Sequence, residues 1–419
     1  MVASGSFLSV SGDAVVLVRD KTLFVLAAGI ASSSSFVKKG IEFELLQEQE
    51  VKDAVFKAED ADDENPNNQQ HAVTVNCITG VEFFQPNDQT YALLVLVDER
   101  KLVHYEVDFT AGKVEYRSLR SLPRNAVCTG VAHLEKDGER KYVVIAGVKT
   151  GEAVAMPFPD INRDVKMLLG HTTSMIVHLT VNKNSTLLLT GDRDEKIRVS
   201  GFPRTSLIQS YCLGHSESLT KVATSSLTPD LAVSTSLDNT IKLWSMSTGT
   251  LFDSEELLPE ELANSKALLT TSLAVSAQSN LVAVVLNNQS VRLFAIVATE
   301  SESPRLEKLE FAAEAQKQLN GSEPAEAEFI SDGTLVVSYK SAPFVGFYNV
   351  NKGESKNVVV AAAAQLVGDE VLAQLRSKFA SIEIAVVEQV VDEFEDGLKK
   401  KKIRTEFDWK TKLAAIGNK

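Results

Sequence analysis

The sequence predicts an all-β chain arranged as a ring of small sheets, a seven-bladed β-propeller with a C-terminal helical extension. Three observations lead there. Two segments, "LLGHTTSMIVHLTVNKNSTLLLTGDRDEKIRVS" and "CLGHSESLTKVATSSLTPDLAVSTSLDNTIKLW", align without a gap at a constant shift of 44 residues, setting His171 on His215, Thr190 on Ser234, Asp194 on Asp238 and Ser200 on Trp244. A period near 40–45 that opens on Gly-His and places Asp before an apolar-basic-apolar strand is the sequence signature of a WD-repeat blade. Elsewhere the chain carries pairs of short alternating apolar strands joined by polar turns, which is what a blade needs.

Taken in order, Phe7 to Ala28 with "AVVLVRDKTLFVLAA" forms the first unit, "YALLVLVDERKLVHYEV" belongs to the second and "KYVVIAGVKTGEAVAMPF" to the third. The two aligned segments are the fourth and fifth, "NLVAVVLNNQSVRLFAI" the sixth and "GTLVVSYKSAPFVGFYNV" the seventh. Residues 1–350 are therefore assigned to the propeller, at about 44 residues per blade once one long insertion is set aside. That insertion, "KAEDADDENPNNQQ", is acidic, rich in amides and poor in apolar groups, so a mobile loop over about 57–71 is expected. A second polar stretch, "AQKQLNGSEPAEAE", reads as the link between the sixth and seventh blades.

After residue 350 the period changes. Leu372, Leu375, Phe379, Ile382, Val386, Val390, Phe394 and Leu398 recur every three or four residues, the spacing of one helical face. The extension, 351–419, is thus expected to hold an amphipathic helix over about 369–398 and then a basic tail.

Composition narrows the function. The chain has 419 residues, 44% apolar and 24% charged, and a formal charge of −13, so as a whole it repels a phosphate backbone. Its three cysteines, Cys77, Cys128 and Cys212, form no C-x-x-C pair, which suggests neither a zinc site nor a disulfide framework and fits a reducing compartment. With no apolar run of about 18 residues and no basic start of a signal peptide, a nuclear or cytosolic location is expected.

No catalytic constellation is visible. Neither G-x-G-x-x-G nor G-x-x-x-x-G-K occurs, His171 and His178 do not form H-E-x-x-H, and Asp192 and Asp194 read as turn formers rather than an acid/base pair. The residues at blade spacing instead predict a structural hydrogen-bonded tetrad: His215, Ser234, Asp238 and Trp244 in full, and His171 with Thr190 and Asp194 in the sister blade. There Ser200 stands where the indole belongs. Because side chains alternate along a strand, Arg198 shares a face with Ser200, and a missing indole leaves room beside the guanidinium.

The runs "GDRDEKIRVS" and "YCLGH" carry a closer resemblance. In them the chain is similar to the non-catalytic WD-repeat subunit of the eukaryotic tRNA (guanine-N7) methyltransferase, a family that shares the missing tryptophan. The resemblance implies a scaffold, not an enzyme. It implies a heterodimer with a Rossmann-type catalytic subunit that forms N7-methylguanine in tRNA and binds S-adenosylmethionine itself, leaving this chain without a cofactor or metal. By the same resemblance Glu195, Lys196 and Arg198 face that partner, Arg193 and Asp194 orient the turn, and Lys221 lies near enough to join them. The tail residues Lys399, Lys400, Lys401 and Lys402 form the one dense basic patch, suited either to nuclear import or to tRNA phosphates. The alternative function is a general protein-interaction propeller, as in ribosome assembly or a ubiquitin-ligase adaptor.

Overall fold

The computed structural model describes residues 6–45, 77–258, 268–311, 323–352 and 357–362, with short breaks inside those ranges. They form seven consecutive four-stranded antiparallel units, each built from strands that follow one another in the chain. Blade one is β1 (Ser6–Ser11) to β4 (Val37–Glu44), blade two β5 (Ile78–Phe84) to β8 (Lys113–Ser121), and blade three β9 (Ala126–Lys136) to β12 (Lys166–Gly170). Blade four runs from β13 (Ile176–Val181) through β14 (Leu187–Asp192) and β15 (Lys196–Gly201) to β16 (Ile208–Leu213). Blade five spans β17 (Leu219–Thr224), β18 (Leu231–Ser236), β19 (Thr240–Ser245) and β20 (Leu251–Glu256). Blade six is β21 (Thr270–Val275) to β24 (Arg305–Phe311), and blade seven β25 (Pro324–Phe329) to β28 (Asn357–Ala362).

The seven-bladed propeller is therefore the fold of this chain. Two boundaries differ from the sequence expectation. Strand β28 completes blade seven beyond residue 350, and "PAEAEF" is the strand β25 rather than part of a linker. The acidic loop, the helical stripe and the lysine tail lie outside the described residues.

Strand composition follows from position in the ring. The second strand of each blade is covered on both faces by its neighbours, so it reads as an unbroken apolar run rather than an alternating one: AVVLVR in β2, YALLVLV in β6 and LVAVVL in β22 are buried almost throughout. Two-sided burial favours branched aliphatic side chains. The apolar clusters accordingly lie between blades. One joins Val16 and Leu23 of blade one to Leu93 and Tyr105 of blade two. Others join blades two and three, three and four, five and six, and six and seven.

The seam between blades one and seven is built like most of the others: among the described residues only blades six and seven are joined by paired strands. Blades one and seven each contribute four strands of their own, so among the described residues no strand is shared across the seam between them. Blade seven is fastened on its other side, where β24 and β28 pair in parallel at Glu310–Asn357 and Phe311–Val358. The seam itself is held by side chains. Leu8, Leu17 and Phe24 pack on Ile330, Phe344 and Phe347. The Leu8 N–H donates to Glu326 Oε2 at 2.6 Å, and Arg19 Nη1 donates to Lys340 O at 2.9 Å with its guanidinium 4.7 Å from the centre of the Phe344 ring. Replacing Arg19 with Met takes this donor from the part-buried Lys340 carbonyl and removes the cation from the ring. The expected cost is about 1–3 kcal/mol in a guanidinium denaturation experiment.

Candidate functional site

In blade five the predicted tetrad is complete. Trp244 Nε1 donates to Ser234 Oγ at 2.8 Å, Ser234 Oγ lies 2.8 Å from His215 Nε2, and His215 Nδ1 lies 2.8 Å from Asp238 Oδ2. The carboxylate accepts from Nδ1, so Nε2 is the acceptor and the Ser234 hydroxyl points its hydrogen there. The proton chain runs one way, from indole to hydroxyl to imidazole to carboxylate, and each hydrogen bond polarises the next. Asp238 also accepts from the Thr240 hydroxyl and from the Ser216 and Thr240 backbone N–H groups. Burial opposes its ionisation, yet the hydrogen bonds from His215, Thr240 and Ser216 outweigh it and bring the carboxyl down to about 2. Its value lies below that of the unfolded chain, so this stabilisation is present above the ordinary carboxylate range and fades as pH falls towards 2.

Blade four builds the same chain with one substitution that the alignment misplaces. His171 Nε2 meets Thr190 Oγ1 at 2.7 Å, but Nδ1 meets Asp192 Oδ2 at 2.9 Å, so Asp192 and not Asp194 is the tetrad acid. The other oxygen of Asp192 accepts from the backbone N–H groups of Asp194 and Lys196, tying the turn to the tetrad. In blade five the equivalent of Asp192 is Ser236, whose hydroxyl accepts the Asp238 N–H. The acid therefore comes from different positions in the two blades: Asp192 in blade four, and Asp238, the counterpart of Asp194, in blade five.

The space left by the absent indole is filled by Arg198. Its Nε donates to Ser200 Oγ at 2.9 Å, Nη2 to Thr205 O at 2.9 Å and Nη1 to Gly170 O at 3.2 Å. Thr205 in turn donates its hydroxyl to Leu168 O. Arg198 thus stitches β15 to the end of β12 and to the loop before β16. The half-buried guanidinium thus acts as an internal donor, and Ser200 is 0% exposed.

The remaining turn residues divide. Glu195 and Lys196 are exposed, whereas Arg193 and Asp194 are half-buried and serve the turn, Arg193 through its N–H to Met175 O. Glu195 adopts a left-handed φ of 74°, as does Asn239 at the same place in blade five with 63°. Asn tolerates that conformation; Glu rarely does, and such strain concentrates at functional positions. Partial burial, then Glu217 and Asp194, push the Glu195 carboxyl up, with Lys196 opposing. Lys221 does not join this group. It lies on β17, the innermost strand of blade five, and lines the central channel together with Glu82, Glu326 and Glu328.

One feature of the surface escaped the sequence reading. Beside the charged turn, blade four exposes Leu207 just before its outer strand and Ile208, Tyr211 and Leu213 on it, the last 60% exposed, and Met167 projects from the outer strand of blade three. Lys196 stands opposite Leu213 in the β15–β16 register, and Arg198 opposite Tyr211. An edge strand bearing apolar side chains is a place where another chain can pack or pair.

A family model described as the tRNA methyltransferase TRM82 WD40 domain matches residues 148–342. The chain resembles that family. The match covers blades four to six entire, with the charged turn and both tetrads inside it. Among curated relatives, the tRNA (guanine-N(7)-)-methyltransferase non-catalytic subunit wuho of Drosophila pseudoobscura pseudoobscura is 32% identical over 36% of this chain and 38% of its own length. The non-catalytic subunit WDR4 of Homo sapiens is 31% identical over 32% of this chain and 30% of its own, and the wuho subunit of Culex quinquefasciatus is 27% identical over 51% and 50%. The chain thus spans between about a third and a half of the relatives it matches. Among solved structures, a chain of the Mitotic Checkpoint Complex and the Cps50 (Swd1) β-propeller domain of Myceliophteria thermophila superpose with TM-scores of 0.53 each. They cover 80% and 81% of this chain and 86% and 94% of their own, at 14% and 13% identity, a likeness of fold alone.

Two substitutions separate the roles. Trp244→Phe keeps the ring but deletes the first donor of the chain, with an expected loss of about 1–3 kcal/mol in equilibrium unfolding. Arg198→Met leaves Ser200, Gly170 and Thr205 without their donor and is expected to cost roughly 2–4 kcal/mol, measured the same way. An Arg198 variant as stable as the parent removes the structural role assigned to this side chain.

Proposed function

We propose that this chain is the non-catalytic scaffold subunit of a tRNA (guanine-N7) methyltransferase, binding and stabilising a Rossmann-type catalytic subunit as a heterodimer. The observation that carries this reading is the family match over residues 148–342, joined to relatives that bear that subunit's name. In the proposal S-adenosylmethionine and the chemistry of guanine methylation belong to the partner, and this chain contributes a rigid surface without a cofactor of its own. The complex works in the nucleus, and tRNA meets this chain only indirectly or through the lysines 399–402.

The contact is assigned to the exposed pair Glu195 and Lys196 and the apolar edge beside it at Tyr211 and Leu213. Apolar side chains supply affinity when covered, whereas exposed charges beside them set register and encounter rate. Arg198 supports that surface from beneath by holding β15 against the loop before β16. The strained φ at Glu195 is consistent with a side chain kept for what it meets rather than for its own turn.

The test is co-purification of the full chain from its native cell, where a stoichiometric methyltransferase is expected. The double variant Glu195→Lys, Lys196→Glu is expected to keep the parent's unfolding midpoint and weaken the complex by about 10-fold to 100-fold, read by titration of the purified subunits. Unchanged affinity moves the interface elsewhere. Absence of a methyltransferase from the purified material overturns the proposal as a whole.

A further inference from the structure

In each of blades two to seven the residue that follows the second strand occupies one fixed place: its backbone N–H donates to the carbonyl just before that blade's first strand. The donors are Asp98, Lys149, Arg193, Leu237, Asn287 and Lys340. What the side chain does from that place differs. Asp98 and Asn287 turn back and accept the Cys77 and Leu269 N–H groups at 3.0 and 3.1 Å. Lys149 reaches the preceding blade, where its ammonium lies 2.6 Å from Glu99 Oε2. Leu237 is apolar and buried, and Lys340 leaves no buried nitrogen without a partner.

Arg193 is the exception. Its guanidinium makes no hydrogen bond or ion pair among the described residues, and its Nε is buried with no acceptor. The neighbouring seam shows what is missing. Lys149 is met by Glu99, the second residue of the blade-two turn, whereas the second residue of the blade-three turn is Thr150, which has no charge to offer Arg193. Another donor is left over close by. Ser174, 3% exposed, has an unpartnered Oγ, while Ser218 at the same place in blade five donates to Leu219 O at 3.3 Å. Ser174 directly precedes Met175, whose carbonyl accepts the Arg193 N–H, so both unmet donors belong to the entry of blade four.

A half-buried guanidinium without an acceptor is costly to keep, and the turn itself does not require it, since blade five builds the same turn on Leu237. We propose that Arg193 is the receptor for one carboxylate side chain, Asp or Glu, of the protein that docks beside this turn; the inference rests on the scaffold reading above and adds the chemistry of the partner's contact. A planar guanidinium fits a carboxylate through paired hydrogen bonds. The surroundings favour a protein over a nucleic acid. Asp194, Glu195 and Glu217 gather at the same turn, close enough to act on one another. A phosphodiester chain, charged at every nucleotide, is repelled by them, whereas a folded protein can set a basic residue against Glu195 and an acid against Arg193.

The measurement is a titration of the full chain with the protein that co-purifies with it in stoichiometric amount. Arg193→Met is expected to weaken that complex by about 10-fold to 100-fold and to leave the unfolding midpoint of the free chain at or above the parent's, because it deletes an unpaired donor rather than an existing bond. Lys149→Met removes a cation that Glu99 already engages, and is expected to leave the affinity unchanged. A comparable loss in both variants reports long-range charge alone and overturns the receptor. So does an unaltered affinity in Arg193→Met, and so does a lowered midpoint, which assigns the side chain to the fold. An Arg193→Met complex that holds together but binds tRNA more weakly replaces the carboxylate with a phosphate. The scaffold reading is judged separately, by whether the co-purifying protein is a methyltransferase, and both fail if no protein co-purifies.

Discussion

Each sheet in this ring is too small to bury its own faces, and the whole structure depends on solving that problem by stacking neighbours. Four strands of about six residues expose two apolar surfaces, and each surface becomes core only when the next blade covers it. Cooperation between blades is therefore obligatory, and the ring must close for the last two faces to leave water. In many closed folds hydrogen-bonded strands remove the final edge. Among the described residues the last seam is held by a packed cluster, by the Leu8 N–H to Glu326 bond and by Arg19.

This arrangement makes the inner and outer surfaces of the ring physically different. At the outer edge, charges and apolar groups are hydrated, cheap to keep and free to meet another protein, as Glu195, Lys196 and Leu213 are. On the channel side, burial raises the carboxyls of Glu82, Glu326 and Glu328 above their ordinary value. A glutamate on β25 and a glutamate in the β14–β15 turn are the same residue type with opposite consequences. Position relative to the blade stack decides which.

Between the two surfaces lie the tetrads, which are polar networks inside the blades and are tolerable because every member has a partner. Blade four shows how such a network accepts change. Without an indole, Thr190 still donates to His171, and Arg198 moves into the vacant place to satisfy two carbonyls and Ser200. The substitution trades an apolar plug for a cation with three bonds and brings the charged turn, the outer strand and the previous blade into one rigid unit.

Periodicity in the sequence determined the number of blades, the order of their strands and four tetrad members at once, because burial on both faces and a fixed repeat length leave few other solutions. The exposed turn at Glu195 and Lys196 was legible for the same reason, since a polar interruption between two apolar strands must face solvent. Tertiary structure alone decided the rest. Asp192 rather than Asp194 completes its tetrad, because the folded chain brings its carboxylate to 2.9 Å from His171 Nδ1. Arg198 points inward because carbonyls from two other segments converge on it, and Lys221, Glu326 and Glu328 meet because innermost strands from distant parts of the chain surround one axis. "PAEAEF" resembles a linker for a physical reason: a channel-facing strand alternates small apolar with charged residues, and one-dimensional hydropathy cannot distinguish an enclosed polar space from bulk water.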